Sequence, residues 1–244
     1  MNGFWEQQHR LLAEDVDLNG SWRVSRIFTD MQEAGGAHSE QNGLGMRAMW
    51  GQGLAWVLSR VQLRMTRLPR IGETVTVRTW PKPPQHFFFP RHYRFMVDGE
   101  EIGTAATLYV QLDTESRRMA KPWLGGQEEL TCDTEPAYPL PAGIPAVDAE
   151  PMLFTRTAQY SDLDINGHVN NTRYLDWYCD CFESAHHTAY ALMDVLIHYN
   201  REIRPEEQIA LALRSDGLHS VLTGSVAGAQ CFSVSGHWQA RAAV

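Results

Sequence analysis

Short runs along this chain alternate apolar and polar residues with period two. Val61, Leu63 and Met65 are separated by polar residues, and Glu73, Val75 and Val77 follow with the same spacing. Such alternation puts one apolar face on a half-buried strand. The same order returns 134 residues later as Val195, Ile197 and Tyr199, then Glu207, Ile209 and Leu211, with Pro69 and Pro205 in the intervening turns. A fixed offset predicts a duplicated unit. Further strands are predicted over 91–97, 101–112, 221–227 and 230–241, with hairpin signals at Asp98-Gly99 and Gly224. Helical spacing is expected twice. One stretch runs near Thr29 to His38; the other starts at Asn170, where Tyr174, Tyr178, Cys181, Phe182 and Ala185 would make one apolar face. A short strand is predicted before each, over Ser21 to Phe28 and Leu153 to Tyr160. Residues 136–151 hold five prolines, which exclude a helix or a central strand and predict a linker. The expected organisation is therefore a domain over 1–135, a linker over 136–151 and a domain over 152–244, each half α+β.

Between Ser161 and Asn171 lie two acids, a histidine and three asparagines. That density of polar groups suits chemistry better than packing. If Tyr160 to Asn166 is extended or loop-like, Asp162, Asp164 and Asn166 project to one side. Asn170 or Asn171 is a plausible N-cap, and a helix beginning there offers unpaired backbone N–H groups to an oxygen that gains charge. Asp162, an acid just before a turn, is expected to cap backbone N–H groups.

The run D-x-D-x-N-x-H-V-N-N over 162–171, with the TRYLDW that follows, resembles the signature of the acyl-acyl-carrier-protein thioesterases, a branch of the hot-dog-fold thioesterases. RIFTDMQEAGGAH (26–38), TVTVRTWP (74–81) and RHYRF (91–95) resemble the N-terminal half of that family, so the likeness covers roughly residues 20–215. It implies a tandem (double) hot-dog fold, each half a curved antiparallel sheet around a central helix, and hydrolysis of fatty acyl-carrier-protein thioesters in fatty acid biosynthesis. It also implies catalytic roles for Asp164, Asn166 and His168, and for Glu202 through the segment HYNREI (198–203). Ile203 stands where the plant pattern has cysteine, so the resemblance implies a mechanism that runs on Asp, Asn, His and Glu.

A thioester hydrolase needs an activated nucleophile, a polarised carbonyl and a site for the oxyanion. Glu202 or Asp164 would activate water, Asn166 would position it, and His168 would hold the network and protonate the leaving thiolate. Direct attack by Asp164 to give an anhydride is the other route. The N–H groups of Val169, Asn170 and Asn171 would bind the carbonyl oxygen. FTDMQEAGGAHSEQNG, taken as the first-half counterpart, lacks the signature, so the first half is expected to shape the acyl pocket through Met46, Met49, Trp50, Trp56 and Trp80; ordinary core is the other reading of these side chains.

Net charge is −8, which weighs against nucleic acid and anionic membranes, yet residues 60–94 hold eight basic residues and one acid, Glu73. Arg64, Arg67, Arg70, Arg78, Lys82, Arg91 and Arg94 are expected to form a docking patch for an acidic acyl carrier protein whose phosphopantetheine carries the chain. No apolar run reaches the ~20 residues needed to cross a bilayer, and MNGFWEQQHR lacks the marks of a secretory signal, so a cytoplasmic monomer or homodimer is expected. The four cysteines show no disulfide framework, and no histidine spacing suggests a metal site. No G-x-S-x-G elbow or phosphate-binding glycine loop occurs, and no cofactor is expected. The alternatives are an acyl-CoA thioesterase of the same fold and a non-catalytic acyl or carrier-protein binding module.

Overall fold

The computed structural model describes residues 3–125, 131, 132 and 134–241. The chain forms strands β1 (Trp5–Arg10), β2 (Leu54–Met65), β3 (Thr74–Pro81), β4 (Phe89–Val97), β5 (Glu100–Asp113), β6 (Met152–Thr157), β7 (Tyr190–Tyr199), β8 (Gln208–Ser215), β9 (His219–Val226) and β10 (Ala229–Ala240), and the alternating apolar residues fall within these strands. Together they form one antiparallel sheet in the order β1-β3-β4-β5-β2-β7-β10-β9-β8-β6.

The sequence repeat is visible where the halves join. β2 lies against β7 with Val61 opposite Ile197 and Leu63 opposite Val195. Because Val61 is the repeat equivalent of Val195, and Leu63 of Ile197, the ladder is symmetric about the pair Gln62 and Leu196. The offset of 134 is thus a local twofold axis through the centre of the sheet.

α1 (Val24–Gln41) buries Val24, Ile27, Phe28, Met31, Ala34 and His38, one face at helical period, against β1 and β3. The predicted strand over Ser21 to Phe28 is replaced by the start of this helix, because Val24, Ile27, Phe28 and Met31 fit a period of 3.6 better than two. The first-half strand is instead β1, whose polar sequence WEQQHR hid it; only its alternate residues Trp5, Gln7 and His9 are partly covered. α2 (Met46–Gly51) follows, and the second half contributes α3 (Arg173–Asp180) and α4 (Ser184–Ala189). α3 buries Tyr174, Leu175, Trp177 and Tyr178. The helix expected to run through Ala185 stops early: Glu183 is extended, Ala185 is exposed, and Phe182 turns back onto Tyr178 and Trp238.

Asp98 and Gly99, at φ 52° and 82°, make a two-residue turn between β4 and β5. Gly224 does not turn. It lies inside β9, where a Cβ would meet Phe232 at 2.0 Å, and the hairpin is made by Ala227 and Gly228 at φ 50° and 80°.

The proline-rich segment crosses the outer face of the sheet. Trp80 Nε1 donates to the Pro136 carbonyl (3.0 Å), Arg94 Nε to Tyr138 Oη (3.1 Å), and His198 Nε2 to the Ala142 carbonyl (2.7 Å). Residues of both halves share one apolar core. Among the described residues no helix is long and apolar enough to cross a membrane.

Candidate active site

The signature folds as a tight loop held by its own backbone. Asp164 N–H donates to the His168 carbonyl (3.0 Å), Gly167 N–H returns to the Asp164 carbonyl (3.0 Å), and Asn166 N–H donates to Asp164 Oδ1 (2.8 Å). Gly167 sits at φ 75°, the left-handed conformation that glycine enters freely. Asp162 is buried, and its carboxylate accepts the Gln159 N–H (2.9 Å) and Trp177 Nε1 (3.3 Å), so it secures the loop from below. The segment is therefore a turn and not an extended strand.

α3 has Thr172 as its N-cap, one residue after Asn171 and two after Asn170, the expected caps. Asn170 Oδ1 accepts both the N–H (2.9 Å) and the hydroxyl (2.8 Å) of Thr172, which starts the helix at Arg173. His168 Nδ1 lies 3.3 Å from the Val169 carbonyl and 3.7 Å from Asp164 Oδ1. A carbonyl only accepts, so this contact puts the proton on Nδ1 and leaves Nε2 with a free lone pair in the neutral ring.

Asp164, Asn166, His168, Val169, Asn170, Asn171 and Glu202 line one cavity of about 1240 Å³. Met46, Met49, Trp50 and Trp56 line it from the first half, with Leu44, Leu58, Phe89, Tyr109 and the α1 glycines Gly35 and Gly36. Trp80 does not. It is fully buried on the outer face of the sheet, packed on His92 and Tyr138 beneath the proline-rich segment.

Two of the three expected oxyanion donors are already used. Val169 N–H donates to the Ile203 carbonyl and Asn170 N–H to the Asp162 carbonyl, both at 2.8 Å. Of the trio, the Asn171 N–H carries no hydrogen bond among the described residues, and Tyr199 Oη donates to the Asn171 carbonyl (2.9 Å), holding the next peptide along. Glu202 is held at 2.9 and 3.0 Å by Arg117 Nη2, a first-half residue the sequence reading missed.

The expected docking patch is dispersed and largely neutralised. Arg64 pairs with Asp194 (3.2 Å), Arg67 with Glu73 (2.7 Å), Arg78 with Glu6 (2.7 Å) and Glu135 (2.8 Å), and Arg94 with Glu101 (3.0 Å) and Glu135 (3.3 Å). Arg70 donates to the Asn19 carbonyl, and Lys82 to those of Cys132 and Glu135. Arg91 points into the cavity and donates to Ser39 and His38. A local charge count could not see this, because all of these acids except Glu73 lie outside residues 60–94.

The true first-half counterpart of the signature is DVDLNGSW, Asp15 to Trp22, 147 residues before Asp162 to Val169. Its bonds match one for one. Asn19 N–H donates to Asp17 Oδ1 (2.9 Å), Asp17 N–H to the Ser21 carbonyl (2.8 Å), Trp22 N–H to the Pro69 carbonyl (2.8 Å), and Arg23 N–H to the Asp15 carbonyl (2.9 Å). Gly20 repeats the positive φ of Gly167, at 71°. The copy carries Ser21 where the second half has His168. Arg241 fills it, donating to Ser21 Oγ (3.0 Å) and Asp17 Oδ2 (2.9 Å). FTDMQEAGGAHSEQNG is instead α1 and the turn after it. The motif D-x-D-x-N-G was readable in both places.

Ile203 is 0% exposed and does not line the cavity. The thiols are no better placed as nucleophiles. Burial pushes Cys181 up to about 11 and raises Cys179 and Cys231 as well, so each stays protonated. No group of three His, Cys, Asp or Glu among the described residues could hold a metal.

Residues 3–122 match the family model of the acyl-ACP thioesterase N-terminal domain, and residues 149–240 that of the acyl-ACP thioesterase C-terminal domain. The chain is 24% identical over 217 residues to a chloroplastic palmitoyl-acyl carrier protein thioesterase of Arabidopsis thaliana, covering 81% of this chain and 52% of the relative. It is 26% identical over 210 residues to a chloroplastic dodecanoyl-[acyl-carrier-protein] hydrolase of Cinnamomum camphora, covering 77% and 53%. The chain thus spans about half the length of these relatives. In fold it is similar to an acyl-ACP thioesterase from Bacteroides thetaiotaomicron, with TM-score 0.90, 23% identity and 98% of each chain covered. The 12:0-ACP thioesterase from Umbellularia californica gives TM-score 0.82 at 20% identity over 99% of each chain.

Proposed function

The chain belongs to the acyl-ACP thioesterase family, a double hot-dog fold, and from that premise we propose that it hydrolyses fatty acyl-acyl-carrier-protein and releases free fatty acid. The observation that carries the reading is the shared cavity. Asp164, His168 and Glu202 line the same space as Met49, Trp56 and Phe89, so a thioester beside the polar groups has room for its chain among the apolar ones.

His168 Nε2 or a carboxylate takes the proton of the attacking water, and Asp164, tied through Oδ1 to its own loop, keeps Oδ2 for the site. The Asn171 N–H is the backbone donor available to the developing oxyanion. The group that took this proton then returns it to the leaving thiolate, directly from His168 when the imidazole is the base and by way of His168 when a carboxylate is. Direct attack by Asp164 Oδ2 uses the same arrangement, and trapping of solvent ¹⁸O in the Asp164 carboxylate during single turnover separates the two routes. Residues 1–135 and 152–244 serve as pocket-forming and catalytic halves, in a cytoplasmic protein.

Free-thiol release from a panel of acyl-carrier proteins and acyl-CoAs of increasing chain length tests the proposal. Turnover of the carrier-bound series, unaffected by chelators, is the expected result. Preference for the CoA series would reassign the substrate, and no release from either would leave a binding module.

A further inference from the structure

Glu202 sits between two arginines, yet neither holds its carboxylate. Arg201 Nη2 goes to Glu207 (2.5 Å), and Arg204 donates its backbone N–H to the same acid (2.8 Å). The cation on Glu202 comes from 85 residues earlier, in the turn that follows β5: Arg117 Nη2 reaches Oε1 at 2.9 Å and Oε2 at 3.0 Å. We propose that Arg117 is a positioning residue of the active site, which clamps Glu202 from the first half and makes the catalytic arrangement depend on both halves. This rests on the reading of Glu202 as a catalytic carboxylate.

Three observations support the assignment. Arg117 lines the same cavity as Asp164, His168 and Glu202. Its backbone is held at φ 58°, a left-handed conformation unfavourable to any residue with a side chain, by bonds from Arg117 N–H to the Asp113 carbonyl (3.0 Å), Asp113 N–H to the Arg118 carbonyl (2.9 Å) and Ser116 N–H to Asp113 Oδ1 (2.7 Å). That turn is in turn fastened to the strand entry by Thr114 N–H on the Gly53 carbonyl (2.9 Å). Lastly, one guanidinium nitrogen serves both carboxylate oxygens, so each oxygen keeps a lone pair for water or substrate.

The pair is solvent-accessible, with side chains 61% and 35% exposed, and such pairs contribute little to folding. Orientation is a different matter. An unclamped carboxylate on this loop would spread over rotamers, and reaction rates fall steeply when a reacting group is displaced by an ångström. In the first-half copy of the site the position equivalent to Glu202 is Leu68, which has no carboxylate to clamp.

The test uses the full chain and free-thiol release from acyl-carrier protein, with Arg117→Ala, Arg117→Lys, Glu202→Gln and the double variant. Arg117→Ala is expected to lower kcat on the order of 10- to 100-fold with little change in KM or Tm. Arg117→Lys should recover part of the loss, added guanidinium ion should partly rescue Arg117→Ala, and the double variant should be no slower than Glu202→Gln alone. Additive losses, or a raised KM with kcat retained, would place Arg117 on the substrate instead and overturn the clamp. An inactive Glu202→Gln enzyme beside an unaffected Arg117→Ala enzyme would overturn the clamp alone. A fully active Glu202→Gln enzyme would remove the reading of Glu202 on which it stands.

Discussion

His168 and Asp164 face the cavity from a loop whose backbone bonds do not depend on their reacting atoms, so changing those atoms should leave the fold intact. His168→Ala and Asp164→Asn are each expected to lose about 10²- to 10⁴-fold in kcat/KM, the range for removing a general acid–base group, with unchanged Tm. Asp162→Asn should behave differently. Its carboxylate is buried and caps the Gln159 N–H, so the loss should register first as a lower Tm. Thiol alkylation gives a further check at this scale. With Ile203 in the core and burial holding the Cys179, Cys181 and Cys231 thiols protonated, iodoacetamide on the native protein should leave activity largely intact; stoichiometric inactivation through one cysteine would contradict the site.

α1 sets two adjacent glycines against each other. A Cβ on Gly35 would meet Tyr93 Oη at 2.9 Å and Arg91 Cδ at 3.3 Å, whereas one on Gly36 meets nothing within 4 Å. Helix propensity favours alanine over glycine by about 1 kcal/mol at both positions, but only Gly36 has room to gain from it. Gly36→Ala should therefore raise Tm and Gly35→Ala lower it, a difference of sign that differential scanning fluorimetry reads directly. On the facing wall, Met49 is fully buried and lines the cavity. Met49→Ala leaves space there, so the optimum should move to longer chains while the best rate changes less. Loss of hydrolysis at every length in a folded protein would show that this wall does more than measure the chain.

At the scale of the molecule, the proline-rich segment seals the outer face of the sheet and buries His92 between Trp80 and Tyr138. Burial, with the nearby Lys82 charge adding to it, pushes the His92 imidazole down to about 4 from its ordinary 6.5. The unfolded chain then takes up this proton near pH 6.5 and the folded chain only near 4, so folding stability falls as pH drops through that window. Thermal unfolding between pH 7 and 4.5 should show a steeper loss for the natural protein than for His92→Phe; equal slopes would mean that the segment lifts away before His92 titrates.

Much was determined by the sequence alone, and the reason is range. The loop around Asp164, the turn at Asp98-Gly99 and the repeat at 134 residues are set by bonds a few residues long or by periodicity, and each is legible without a fold. The copied motif at Asp15 to Trp22 was equally legible. Tertiary structure decided what depends on partners far along the chain. The N–H groups of Val169 and Asn170 left the oxyanion trio because Ile203 and Asp162 claim them, and within residues 60–94 Arg64, Arg78 and Arg94 lost their free charge to Asp194, Glu6, Glu101 and Glu135. Trp80 went to the outer face because strand alternation sent it there beneath the proline-rich segment, while Arg117 met Glu202 because β2 and β7 join the halves. A sequence states which groups can pair; which pairs form is settled when the sheet closes and each donor takes the acceptor within its reach.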